Sequence, residues 1–319
     1  MEHTVVTSSI LNWAFNESQN CLAQGIITRH NTDHVWVSCT SYIAHGRLQF
    51  SSGRPIGIIF DQFNWQALDG PYQKTGLDYR HISDGDFNEL QNELWFGIEG
   101  GSFPRVLRSA IVRYDADTLQ FIDIHVHPTF TTLPWLVFDD TRHRAITCNW
   151  TNSKNQLSVF DATTMTWSNN TINLNNVPSQ YSLDGIPLIQ GGAMSADGIH
   201  FVLQSDDLFS TIYMIQLQPV ATAADLFWQA QVINIWTTGL GNEREGIALT
   251  QHHLLSMGNR DNSWEHRKNA QIFVLAMESP TSHRSFGQGI FVGITATLLM
   301  LLCGSVVVVV LCSCCCRNQ

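Results

Sequence analysis

Short apolar runs set the rhythm of this chain. Val, Ile, Phe, Tyr and Trp gather into brief stretches that Gly, Asp, Asn and Pro interrupt. Ahead of the C-terminal end there is no long stretch of 3.6-residue periodicity, so the pattern predicts strands and turns rather than helices. The runs come in pairs. His34–Ser38 is followed by Ile56–Asp61, Glu93–Glu99 by Ala110–Asp115, Arg144–Cys148 by Gln156–Asp161, Ile199–Gln204 by Thr211–Ile215, and His253–Met257 by Ala270–Leu275. The pairs recur at spacings of roughly 50 residues, a period that belongs to repeat architectures.

A small antiparallel sheet has two apolar faces and cannot cover either alone. Packing such sheets radially covers both and leaves only short edges. The pattern therefore predicts an all-β fold, a β-propeller over residues 24–278. The repeating units, the N-terminal segment 1–23 and the connecting lengths together argue for six blades, or seven if residues precede Met1. Residues 1–23 are expected to complete the last blade, with Ser8–Phe15 supplying the strand. Two stacked β-sandwiches are the competing architecture. The aspartates of Tyr114-Asp115-Ala116-Asp117-Thr118 and Phe160-Asp161-Ala162-Thr163-Thr164 suit hairpin turns, because a carboxylate there accepts hydrogen bonds from amides just downstream.

The pattern changes near the end. From Ile290 to Leu311 no side chain is charged. As a helix this run is roughly 33 Å long, enough to cross a hydrocarbon core of about 30 Å. A single transmembrane helix is expected at 290–311, after a juxtamembrane linker at 279–289 and before a Cys-rich tail at 312–319. Cys312, Cys314, Cys315 and Cys316 beside the span are candidates for reversible palmitoylation. The first residues have neither a basic nor a continuous apolar region, so they do not form a secretory signal. Acylation at the cytosolic face would place the propeller in the extracellular or luminal space, the favoured topology; a tail-anchored protein with its propeller in the cytosol is the alternative. Sequons at Asn16, Asn149 and Asn169 are glycosylation candidates, at a frequency that chance alone supplies.

Composition narrows the partners. The 319 residues carry a net charge of −10 and only 17 basic side chains, with lysine confined to Lys74, Lys154 and Lys268. No basic patch is available for nucleic acid. Before the span there are three cysteines, of which Cys21 and Cys39 are a disulfide candidate, leaving Cys148 over.

The motifs His81-Ile82-Ser83-Asp84-Gly85-Asp86, Trp95–Glu99, Ile111–Thr118, Leu133-Pro134-Trp135, Ile189–Gly198 and Glu243–Ala248 run in order through residues 24–277. In this the chain resembles the broad superfamily of six- and seven-bladed propellers that includes YVTN/quinoprotein-like and SdiA-regulated/phytase-like proteins. The resemblance implies a fold. Members include enzymes and binding scaffolds, so it implies no activity, and no catalytic signature carries over residue by residue.

Candidate chemistry is sparse. Asp84, Asp86, Glu99 and Glu245 are the carboxylates best placed for a hard cation such as calcium, which takes six to eight oxygens. His125 and His127, two apart on a strand, would share a face and could hold a transition metal, though no third ligand is identifiable. In Glu243-Arg244-Glu245 a carboxylate could face the channel as a general base or ligand, or pair with Arg244 or Arg260 to hold the blade. There is no G-x-S-x-G elbow and no Walker loop. The expected role is recognition of a protein or glycan partner at a membrane. The alternative is a metal-dependent hydrolase of the phytase or lactonase kind, which needs Asp84, Glu99 and Glu245 to converge at the channel mouth.

Overall fold

The computed structural model describes residues 2–4, 7–12, 23–100, 108–149, 155–177, 186–206, 210–218, 229–237, 243–250, 253–259 and 270–276. The apolar run at 290–311 and the tail at 312–319 lie outside this set. Among the described residues no helix is long and apolar enough to cross a membrane.

Two short strands come first, β1 (Glu2–Thr4) and β2 (Thr7–Asn12). A first antiparallel meander follows, of β3 (Ala23–Thr28), β4 (His34–Cys39), β5 (Ile43–Ser51) and β6 (Arg54–Asn64). The short helix α1 (Asp69–Thr75) leads into a second, of β7 (Tyr79–Asn88), β8 (Glu93–Gly100), β9 (Ala110–Asp115) and β10 (Phe121–Val126). A third comprises β11 (Leu136–Asp139), β12 (Arg144–Thr147), β13 (Gln156–Asp161) and β14 (Thr166–Asn175). A fourth comprises β15 (Ile189–Met194), β16 (His200–Ser205), β17 (Thr211–Gln218) and β18 (Gln229–Thr237). The last holds β19 (Glu243–Leu249), β20 (His253–Asn259) and β21 (Ala270–Ala276), and its fourth strand is β2.

The first strand of each meander is innermost. β3, β7, β11, β15 and β19 follow one another around an axis, and β19 returns to lie against β3. The fold is thus a propeller-like ring, and among the described residues it has five blades. The expectation of six or seven blades is corrected. The N-terminal segment forms no blade of its own, since β2 pairs with β21 from Thr7 opposite Leu275 to Asn12 opposite Gln271. The long spacing at the start is taken up by the β5–β6 hairpin, whose strands run 9 and 11 residues.

Burial explains why the apolar runs are continuous. A blade stacked on both faces buries both faces, so its middle strands lose the alternation of a half-exposed sheet. β8 is buried without a break from Leu94 to Ile98 and β9 from Ala110 to Tyr114, whereas the outer strands β10 and β14 mix buried and exposed positions. Four of the sequence pairs correspond to the second and third strands of a blade. The exception is His34–Ser38 with Ile56–Asp61, which fall on β4 and β6; β5 lies between them. The core lies between neighbouring blades. Trp95 and Ile111 of the second blade pack on Leu136, Phe138 and Phe160 of the third, with Trp95 fully buried. Ile26, Val35 and Val37 of the first blade pack on Leu255, Met257, Ile272 and Val274 of the last, closing the ring with apolar contact.

The turn aspartates behave as the sequence predicts. Asp115 Oδ1 accepts hydrogen bonds from the amides of Asp117 and Thr118, and Asp161 Oδ1 from those of Thr163 and Thr164. Asp197 does the same for Ile199 and His200. The outer strands are joined as well: β14 and β1 both pair with β18 in parallel.

Candidate functional site

Asp84 and Asp86 stand on β7, and residues two apart on a strand share a face. Here that face is the hub. Asp84 Oδ1 accepts a hydrogen bond from the Ile26 amide at 2.9 Å, and its Oδ2 accepts from Gly192 at 3.0 Å and Ile247 at 3.2 Å. Asp86 Oδ2 accepts from Phe138 at 2.9 Å and Met194 at 3.1 Å. These donors belong to β3, β15, β19 and β11, so two carboxylates on one strand tie all five inner strands together. Asp84 is wholly buried and Asp86 nearly so. Their oxygens are occupied by backbone amides from distant parts of the chain.

Burial pushes the Asp84 carboxyl well above its usual range, against the opposing pull of its amide donors. For the same reason Asp86 rises to about 7 from 3.8. A carboxyl raised in the fold favours the protonated native state. Its stabilisation is complete below pH 3.8 and is lost as pH rises through about 7. The urea midpoint of the wild-type protein, relative to that of Asp86→Asn, should therefore fall between pH 4 and pH 8. Parallel pH profiles for the two proteins would refute this.

The other predicted ligands are elsewhere engaged. Glu99 Oε1 accepts the Leu133 amide at 2.8 Å, and its Oε2 lies 3.5 Å from His81 Nδ1. His81 in turn contacts Gln24 through Nε2. Glu245 is buried on β19. Among the described residues no three His, Cys, Asp or Glu side chains are grouped to hold a metal ion. The structure thus brings Asp84 and Asp86 together and does not gather Glu99 and Glu245 with them.

His125 and His127 also part company. His125 lies against Phe160, with ring centroids 4.9 Å apart. His127 stacks on Phe130 at 3.7 Å, meets Trp167 edge-on, and accepts the amides of Thr129 and Phe130 at Nδ1. Burial first, and Arg108 second, pull it down to about 4, which keeps the ring neutral. Arg244 is buried with its guanidinium 3.8 Å over the Phe273 ring, and its amide binds Asp206.

Cys39 is disulfide-bonded, while Cys148 is a buried thiol. Cys21, the expected partner of Cys39, lies outside the described residues, as do Asn16 and Cys312, Cys314, Cys315 and Cys316. Asn169 is exposed on β14, whereas Asn149 is half-buried and accepts a hydrogen bond from Thr132.

A concave site does exist. A basin of about 440 Å³ opens where the turns after β3, β7, β11 and β15 meet. Its apolar lining comes from exposed Leu90 and from the buried Phe138 and Met194 beneath, and its polar lining includes His30, Glu89 and Asp140. Glu89 Oε2 pairs with Arg29 at 3.1 Å, and Oε1 accepts the His30 amide at 3.2 Å. The Glu89 amide donates to Asp140 Oδ1 at 3.0 Å, linking the second blade to the third. Asp140 rises to about 6, by burial first and by the nearby Glu89 and Asp139 charges as well. Burial pushes His30 down, against the charges of Glu89 and Asp197. Phe138 and Met194 are also the residues whose amides bind Asp86, so the basin floor rests directly on the hub. Among the described residues no hydroxyl in the basin is hydrogen-bonded to His30. The basin thus offers carboxylate acceptors beside one exposed apolar side chain, Leu90.

Sequence reasoning does not find this basin. Glu89 and Asp140 each follow an inner strand by one residue, and the inner strands are the ones the repeat pattern misses. A polar residue directly after each such strand is the signal that would have located it.

No family model matches the chain, and no curated protein does. Solved structures offer distant likenesses. A luciferin-regenerating enzyme is similar at a TM-score of 0.48 and 11% identity, covering 84% of this chain and 95% of its own. A nidogen/laminin complex gives 0.42 and 12%, covering 80% of each chain. A calcium-binding protein, regucalcin, from Agrobacterium tumefaciens str. C58 gives 0.47 and 11%, covering 87% of this chain and 97% of its own. The strand pairing described above makes the chain a propeller-like all-β protein.

Proposed function

We propose that this chain is a recognition domain held at a membrane by residues 290–311, and that the basin over the hub receives a glycan of its partner. The basin carries the proposal. It is open, it draws on four blades, and it sets carboxylate acceptors beside the exposed Leu90. Sugar hydroxyls donate to carboxylates, and the apolar face of a sugar ring packs on an apolar side chain such as Leu90; a few polar groups around an apolar surface is the usual composition of a ligand site. The disulfide at Cys39 supports an oxidising, extracytoplasmic compartment for the propeller, and with it an acylated cytosolic tail.

The test is a glycan array probed with the detergent-solubilised full chain, followed by calorimetry on the strongest hit. Asp140→Asn, which keeps one oxygen to accept the Glu89 amide, is expected to weaken that binding about tenfold or more, near 1.4 kcal/mol, in protein that still unfolds cooperatively. An array with no hit, or a variant that binds as the wild type does, would sink the reading.

A further inference from the structure

Among the described residues, one blade ends in a strand that pairs with no strand of another blade. The edges of the other blades are covered: β18 by β14 and β1, β21 by β2. The outer strand β10 is packed by α1, where Gly70 approaches Phe121 and Lys74 pairs with Asp123. Among the described residues β6 pairs only with β5. The β5–β6 hairpin also outruns β4, which pairs only as far as Arg47. On this projecting part Phe50 and Ile56 are exposed at 46% and 57%, and Ile59 just behind them at 61%. A long, apolar, unpaired strand edge is an aggregation hazard unless something covers it.

Strand direction says what lies nearby. β3 runs toward the basin side of the ring, and β5, two antiparallel steps away, runs the same way. Its turn at Ser51–Arg54 therefore points to that side. By the same count β19 and β21 run together, so Ala276 ends on the basin side too. The first and last blades are neighbours through their shared core, and β2 approaches β6. The hairpin tip and the last described residue thus leave the ring at one rim. Only residues 277–289 separate that point from Ile290. Fully extended, such a segment spans roughly 45 Å at most.

We infer that the tip of the β5–β6 hairpin docks into the interface of the bilayer that holds residues 290–311, with Phe50 and Ile56 entering the headgroup boundary. The inference rests on the membrane anchorage proposed above. Arg54, exposed at the turn, suits the phosphate groups that every phospholipid headgroup carries. An apolar tip flanked by a cation is the composition of an interfacial contact, here a second attachment beside the helical one. The basin is lined by the turns that follow the inner strands, so the docked tip and the basin are separate parts of that side of the ring.

The test uses the full chain in vesicles of phosphatidylcholine. An environment-sensitive fluorescent amino acid replaces Ile56 in one sample and Leu188 in another; Leu188 is also exposed, just ahead of β15 at the opposite side of the ring. With lipids brominated near the headgroup, emission at position 56 should fall at least about twofold and position 188 should not change. Equal responses at the two positions, in protein that floats with the vesicles after an alkaline wash, overturn the docking and leave the anchorage standing. Protein that does not float overturns the anchorage itself. A blue shift at position 56 that grows with protein concentration and ignores the brominated lipid assigns the edge to a second copy of the chain, and also overturns the docking.

Discussion

Asp84→Ala is expected to leave no cooperatively folded propeller. The substitution removes the acceptor for the amides of Ile26, Gly192 and Ile247, which come from three different strands at the centre of the ring. Water cannot replace it, because the site is wholly buried. Each stranded amide costs about 1–3 kcal/mol, so the total is about 3–9 kcal/mol against a domain stability of about 5–15 kcal/mol. The measurement is near-ultraviolet circular dichroism, which reports the fixed environments of Trp36, Trp95 and Trp135, followed by urea unfolding. Asp84→Asn keeps one oxygen acceptor and should be less damaged. If Asp84→Ala unfolds within about 1 kcal/mol of the wild type, the carboxylate is no strut.

The second large effect belongs to Gly246→Ala. A Cβ at this position would sit 2.7 Å from Gly25 Cα and 2.7 Å from the Ile26 nitrogen. Both are main-chain atoms of β3, the strand against which the ring closes, and neither can rotate aside. The ring must open at this seam, and doing so also lengthens the bond from the Ile247 amide to Asp84. Overpacking of this kind costs about 1–3 kcal/mol, and the weakened hydrogen bond adds about 1 kcal/mol. The urea midpoint should drop accordingly, and hydrogen exchange should quicken at Ile26 and Ile247 before it does in the middle of the blades. Gly57→Ala is the control, because a Cβ there meets nothing within 4 Å. Equal stability of the two variants would show that the seam has slack.

What the sequence reveals of this fold follows from burial on two faces. Strands in the middle of a blade are apolar throughout, so Glu93–Glu99 and Ala110–Asp115 stand out as a pair. The turn aspartates stand out because their bonds are local, to amides two and three residues on. The innermost strands do not stand out. β7 carries Asp84 and Asp86, β15 carries Gly191 and Gly192, and β19 begins Glu243-Arg244-Glu245-Gly246. Near the axis main chain packs on main chain, so small and hydrogen-bonding residues do what apolar ones do further out. With those strands illegible, the blades are miscounted, and two buried aspartates look like metal ligands. Their true partners are amides supplied by other blades, and nothing in the local pattern of β7 points to them. Glu89 and Asp140 are hidden for the same reason: the turns that carry them can be placed only once the inner strands are known.

The pairing of β2 with β21 has a bearing on how the protein is made. A strand near one end of the chain waits for a partner near the other, Thr7 for Leu275, so the contact order of the ring is high and closure is intrinsically slow. At ribosomal rates of about 5–20 residues per second, the wait during synthesis is on the order of tens of seconds. Through that interval the nascent chain holds four meanders whose ring has no seam. The apolar stretch that starts at Ile290 emerges from the ribosome almost as soon as the closing strand does.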